Sequence, residues 1–395
     1  MKMIKIIGAL GLIFLLNPTF AQDTKPEKVY SIIKVRKNHE WYVAQYGLWE
    51  KEIAKNKKNP DSYLSIYNAA RMAQITSESE TERAEWFQKM DDVMDQINNI
   101  SGTFNYLYLK GRHGYNKAFE LSDMAEMEKM RKEADDFILK AYAKDPNRPE
   151  TYDFLMPMYI KQGNTIKATE IAKQWLASGD ITYSTLALNY NMLVSTESDA
   201  IIFTAGDNDT FPAYVLQLGK GIQKDVTIMN IYLMTKSDSH RKVAFEKAGI
   251  PAMTDSTNIQ SAVIEHVIKH KGEKQVYFSN GFPFQDFEVL NEHIYSVGIA
   301  WHYFENNYFN INYLINNYEN NYILDHIKHD KIVYESYPEL AHDHNLSYSG
   351  SMFHLLDHYH VTGNQKKFDE TKAMILKVGK GSSYEEQINE LLERY

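Results

Sequence analysis

The sequence predicts an α+β protein, an array of α-helical hairpins into which a small parallel α/β layer is set. Three observations predict it. Apolar residues recur at helical spacing before about residue 194 and again after 306. Between those stretches, continuous apolar runs of strand length alternate with helical segments. Glycine, asparagine and proline pairs punctuate the chain where one helix gives way to the next. The expected organisation is a leader over 1–21, a helical domain over 22–194, an α/β domain over 195–305 and a helical region over 306–395.

The leader is read from its charge and its small residues. Lys2 and Lys5 give a positive start, Ile6 to Leu16 is an apolar run, and Pro18 breaks it. Thr19 and Ala21 then stand at the two positions a signal peptidase reads. A membrane span needs roughly 20 apolar residues, so this run is too short to remain as an anchor. Because the chain contains no cysteine, thioether lipid attachment, disulfides and thiol chemistry are all excluded. The net charge of −9 disfavours nucleic acid and anionic lipid surfaces, which demand a basic face. No later segment is apolar enough to span a bilayer. A soluble protein, periplasmic or secreted after cleavage near Ala21, is expected.

The helical elements follow in order. Trp49, Ile53, Tyr63, Ile66, Tyr67 and Ala70 recur at helical spacing, and Asn59-Pro60 separates two helices. Over 149–182, Tyr152, Leu155 and Tyr159 share one helix face, Gly163-Asn164 makes the turn, and Trp175-Leu176 closes a second helix. Ala168 stands where the two helices cross closely, a place where a larger side chain would push them apart. This pattern resembles a tetratricopeptide repeat, and repeats of that kind stack into arrays that present concave surfaces to protein partners. The stretch 350–379 repeats the outline with Leu355, Tyr359 and Gly363-Asn364, but Phe368 replaces the small residue, so only a helical hairpin is expected there.

The chain changes character near 195. Ala200 to Thr204 is a strand-length apolar run, suited to a strand covered on both faces. Gly206 to Thr210 reads as a tight polar loop, and Phe211-Pro212 as the opening of a helix. Val226 to Ile231 and Gln275 to Phe278 supply two further strands, which right-handed crossovers would make parallel. Asp207, Asn208, Asp209 and Thr210 are the candidate ligand residues. In open parallel sheets ligands sit outside the carboxyl ends of strands, and this segment is expected to leave a strand there facing open space. Two carboxylates, an amide and a hydroxyl suit sugar hydroxyls, a hard cation or acid/base work. The same residues equally suit a turn that caps a helix.

Thr204-Ala205-Gly206-Asp207-Asn208-Asp209-Thr210-Phe211-Pro212, with Gln217, Gly221, Asp225-Val226 and Asn230 after it, resembles a signature of a large bacterial family. Its members are multi-pass membrane proteins, O-mannosyltransferase-like glycosyltransferases, and the signature lies in their region beyond the membrane helices. Gln275 to Phe278 and Tyr295 to Trp301 are similar to later parts of that region. The family's sugar transfer belongs to its membrane part, so the resemblance implies a link to glycans rather than transferase activity. Ala213-Tyr214-Val215 departs from the bulkier residues that the family carries after the signature.

Two weaker patterns remain. His354 and His358 lie four residues apart, so a helix would put both on one face as a metal pair requires, yet no zincin glutamate accompanies them. The stretch 301–323 is rich in asparagine and tyrosine, which suits a glycan groove or an ordinary polar helix surface, the second being favoured. No serine-hydrolase elbow, zincin or dinucleotide-binding motif occurs, and no cofactor is expected. The sequence therefore favours an exported binding or scaffold protein of the cell envelope, linked to glycan or glycoprotein assembly. Its partner would be an envelope protein and its ligand a small polar molecule or sugar. The alternative is an enzyme acting on glycans through Asp207 and Asp209.

Overall fold

The computed structural model describes residues 25–30, 34–253, 259–287, 290, 292–306, 308–329 and 338–395; the leader lies outside them. The chain is an α+β protein, mostly helical, with a five-stranded mixed sheet. The helical array runs α1 (His39–Lys55), α2 (Pro60–Thr76), α3 (Glu80–Gln96), α4 (Phe104–Glu120), α5 (Met124–Lys144), α6 (Tyr152–Lys161), α7 (Thr165–Ser178) and α8 (Tyr183–Val194).

Local chemistry sets the ends of these helices. Asn38, Asn59, Ser79, Thr103, Asp123, Asn164 and Thr182 each accept a hydrogen bond from a backbone N–H of the first turn that would otherwise lack a partner. Pro60 opens α2 at the position where its missing N–H costs nothing. Between α4 and α5 the backbones approach closely because Gly111 has no side chain. A Cβ there would meet Ile138 at 2.7 Å.

The hairpin expected at 149–182 forms as α6 and α7. Gly163 turns at φ +67°, Asn164 caps α7, and Ala168 is fully buried at the crossing. Trp175 reaches back to Tyr152, ring centroids 6.3 Å apart.

The layer runs β1 (Ile201–Thr204), α9 (Asp207–Val215), β2 (Thr227–Asn230), α10 (Ile231–Lys236), α11 (Asp238–Ala248), α12 (Gln260–His270), β3 (Val276–Ser279), β4 (Ile294–Ser296) and β5 (Ala300–Tyr303). Strand order is β2-β1-β3-β5-β4. The three expected strands are parallel, with Phe203 level with Met229 on one side and Phe278 on the other. The expectation of a purely parallel layer is corrected by β4 and β5, which extend the sheet antiparallel from β3. Alternate residues of β1 feed two cores, as strand geometry dictates. Ile202 faces the core shared with the helical array, whereas Ile201 and Phe203 face the core under α11 and α12.

The chain ends in α13 (Ile311–Asn316), α14 (Asp325–Lys328), α15 (Pro338–Leu346), α16 (Ser349–Val361), α17 (Gln365–Gly379) and α18 (Glu385–Leu392). The asparagine- and tyrosine-rich stretch is not the plain polar surface favoured from sequence, because part of it stitches this region to the sheet. Asn317 donates to the Val297 carbonyl at 2.7 Å, and the Tyr322 hydroxyl accepts from the Ile299 N–H at 2.9 Å. Gly298, at φ +122°, leaves the space that the Tyr322 hydroxyl fills.

Candidate functional site

The expected loop Asp207 to Thr210 is in fact the first turn of α9, and Pro212 lies inside that helix rather than at its start. The reason is that the missing Pro212 N–H is compensated. The carbonyl it leaves free, four residues back at Asn208, accepts from Asn189 Nδ2 at 2.7 Å.

The four candidate residues then divide. Thr210 is buried, bonded to the Thr204 hydroxyl at 2.7 Å and to Asn230 Nδ2 at 2.9 Å. Asn230 also donates to the Ala205 carbonyl and, through Oδ1, caps α10. Asp209 turns inward, its Oδ2 accepting from the Ser279 hydroxyl at 2.5 Å and the Ala205 N–H at 3.2 Å, and its Oδ1 from the Thr210 hydroxyl at 3.3 Å. Burial pushes its carboxyl upward, and those hydrogen bonds oppose the shift. Thr204, Asp209, Thr210 and Asn230 thus form one knot tying β1, α9, α10 and β3. Asn208 Oδ1 is buried without a partner among the described residues. The expectation that the whole segment faces open space is corrected: Asp207 alone is exposed, and it faces a cleft.

That cleft, about 490 Å³, lies between the inner faces of α2 to α6 and the layer's α9 to α11, within the usual size of a small-molecule site. Its charged end gathers Arg71 of α2, Arg112 of α4, Asp153 of α6 and Asp207. Arg112 Nη1 donates to Asp153 Oδ2 at 3.1 Å, and its guanidinium lies 4.9 Å from the Phe154 ring centre. Asp153 Oδ1 is buried with no partner among the described residues. Burial pushes the Asp153 carboxyl up to about 7 against the pull of Arg112, and the Asp207 charge adds to the rise. Arg71 makes no hydrogen bond or ion pair among the described residues. Burial, with the like charge of Arg112, brings its guanidinium down to about 10, so it remains a cation at neutral pH.

Away from that end the wall mixes aromatic and apolar side chains with further charged ones. Phe87, Tyr115, Phe154, Phe211 and Leu233 line it, and Phe119 and Tyr232 are exposed at it. Nothing in the sequence reading singled out Arg71, Arg112 or Asp153. The available signal was a cation set within an apolar run, Ala69-Ala70-Arg71-Met72-Ala73.

His354 is exposed and His358 half-buried on α16. Among the described residues no third carboxylate or imidazole joins them to make a metal site. His344 instead sits buried against the Thr185 hydroxyl at 3.0 Å, and burial lowers its pKa to about 4.

Residues 185–349 match the family model described as TMEM260-associated domain 2. The matched segment takes in most of α8, the whole sheet with α9 to α15, and the first residue of α16. It contains the region whose sequence resembles the glycosyltransferase-like family, and Asp207 with it. Arg71, Arg112 and Asp153 lie before it. Comparison with curated proteins and with solved structures gave no match. Among the described residues no helix is long and apolar enough to cross a membrane.

Proposed function

We propose that the protein is an exported binding protein of the cell envelope, linked to glycan or glycoprotein assembly, with its ligand held between the helical array and the TMEM260-associated segment. One observation carries this reading. The exposed carboxylate of the signature, Asp207, meets three charged residues of a different part of the chain inside a cleft of ligand size. The knot around Asp209 accounts for the inward signature residues as architecture, whereas Asp207 has no such part. The leader supports export, and the family resemblance supports glycans as the context. An envelope protein docked on the helical array belongs to the same reading.

Titration calorimetry of the processed chain with a panel of neutral mono- and oligosaccharides tests it. Saturable binding that Asp207→Asn weakens is expected. Absence of any ligand in that panel and in the anionic series below would sink the reading.

The enzymatic alternative moves to a different pair. Asp209 is held by three hydrogen bonds, so the acid/base couple that the geometry favours is Asp153, with its raised pKa, opposite Asp207. Turnover of aryl glycosides that Asp153→Asn abolishes would support it; a fully active variant would remove it.

A further inference from the structure

The charges of the cleft do not balance, and the imbalance names a ligand class. The chain as a whole is acidic, with 43 lysines and arginines against 52 aspartates and glutamates. In the cleft the sign reverses. Arg71, Arg83, Arg112, Arg131, Lys161 and Lys236 line it, against Glu120, Asp153 and Asp207. Several of these cations are engaged elsewhere: Arg131 Nη1 donates to the Lys236 carbonyl at 2.7 Å, Lys161 pairs with Asp135 at 3.2 Å, and Arg83 donates to the Ser77 carbonyl at 3.2 Å. Arg71 is not. Arg71 stands half-buried in the cleft wall, within the electrostatic reach of Arg112, with all of its donors unused by the described residues. Arg112 has its partner in Asp153, whereas Arg71 has only the through-space charge of Asp207, and planar guanidinium forks match carboxylate and phosphate oxygens.

We propose that the cleft takes a small molecule bearing a carboxylate or phosphate on an apolar body, its anionic group held by Arg71 and Arg112 and its body laid against Phe154, Phe211 and Tyr232. This rests on the cleft-binding reading above and specifies its ligand. Asp153 remains the neighbour that holds Arg112 in place, and Asp207 sets the rim on the opposite side. The aromatic wall supplies the affinity that a bare ion would lack.

Calorimetric titration of the processed chain with benzoate, phenyl phosphate, inorganic phosphate and uncharged benzyl alcohol tests this, the first two separating carboxylate from phosphate. Benzoate or phenyl phosphate should bind at least about tenfold more tightly than benzyl alcohol, and Arg71→Gln should remove that margin. Tyr232→Ser, at an exposed position, should weaken the aromatic probes and leave inorganic phosphate unchanged. If Arg71→Gln fails to fold, the comparison of benzoate with benzyl alcohol and the Tyr232 variant still decide. Equal binding of charged and uncharged probes, or an Arg71→Gln variant that binds like the parent, overturns the proposal. Should neutral sugars bind while every anion fails, the anionic ligand falls and the cleft reading stands; should nothing bind, both fall.

Discussion

Asp207 and Asp209 stand two residues apart on α9 and serve two polar clusters of opposite character. Around Asp209 every carboxylate oxygen has a donor, and those donors come from β3, from the turn after β1 and from α9 itself. Around Asp207, itself exposed, half-buried Arg71 is unpaired among the described residues and one buried oxygen of Asp153 is without a donor. The first cluster is complete and so reads as architecture. The second is incomplete, and a ligand in the cleft would complete it.

The sharpest way to break this comparison is to exchange the roles of the two aspartates by truncation. Asp209→Ala strands the Ser279 hydroxyl and the Ala205 N–H, so a loss of about 2–4 kcal/mol is expected in urea unfolding. Asp207→Ala should stay within about 0.5 kcal/mol of the parent in the same measurement. Equal losses at both positions would erase the distinction.

A smaller effect comes from the proton on Asp153. With its carboxyl raised to about 7, it is largely neutral at pH 6 and charged at pH 8, facing Arg112, Arg71 and Asp207. Benzoate, ionised throughout that range, should bind more tightly at pH 6, by up to about tenfold, the equivalent of about 1.4 kcal/mol. In Asp153→Asn the pH dependence should flatten. The linkage to stability has the same sign. A raised folded-state pKa means the contribution is intact below the unfolded carboxylate pKa and is lost as pH climbs through about 7.

The smallest effect sharpens the comparison most directly. Replacing Arg71 by Met removes a half-buried, unpaired cation while keeping much of its packing. Stability is expected to rise slightly, by about 0.5–1 kcal/mol, as anion binding disappears. A marked loss of stability would place Arg71 with the architecture instead.

How far the sequence could reveal these features depended on how local the chemistry is. The two hairpin turns show it. Gly163-Asn164 and Gly363-Asn364 make the same bonds: the asparagine N–H reaches the carbonyl of Tyr159 or Tyr359, and its side chain caps the next helix at Lys167 or Lys367. All of that is written in adjacent residues. Ala168 and Phe368 sit at matching places beyond those turns, and their difference cannot be judged from the turn alone. Phe368 is accommodated because it packs on His360 and Tyr395, ring centroids 5.7 Å away in each case.

The helix at Asp207 was misplaced for a related reason. A proline after a polar stretch ordinarily marks a helix start, and the Asn189 side chain that makes an interior Pro212 acceptable comes from another helix. Strands β4 and β5, Ile-Tyr-Ser and Ala-Trp-His-Tyr, lack the apolar run that marks β1 to β3. For the cleft the limit was distance along the chain. Asp207 was visible because its neighbours are unusual, whereas Arg71, Arg112 and Asp153 follow one another at intervals of 41 residues. They converge only once the hairpins have packed.

The boundary of the matched segment at residue 185 carries a final consequence. A gene fragment spanning 185–349 would inherit the sheet, the Asp209 knot and the Asp207 carboxylate, but neither guanidinium and no Asp153. Such a fragment would keep the architecture and lose most of the charged end of the cleft.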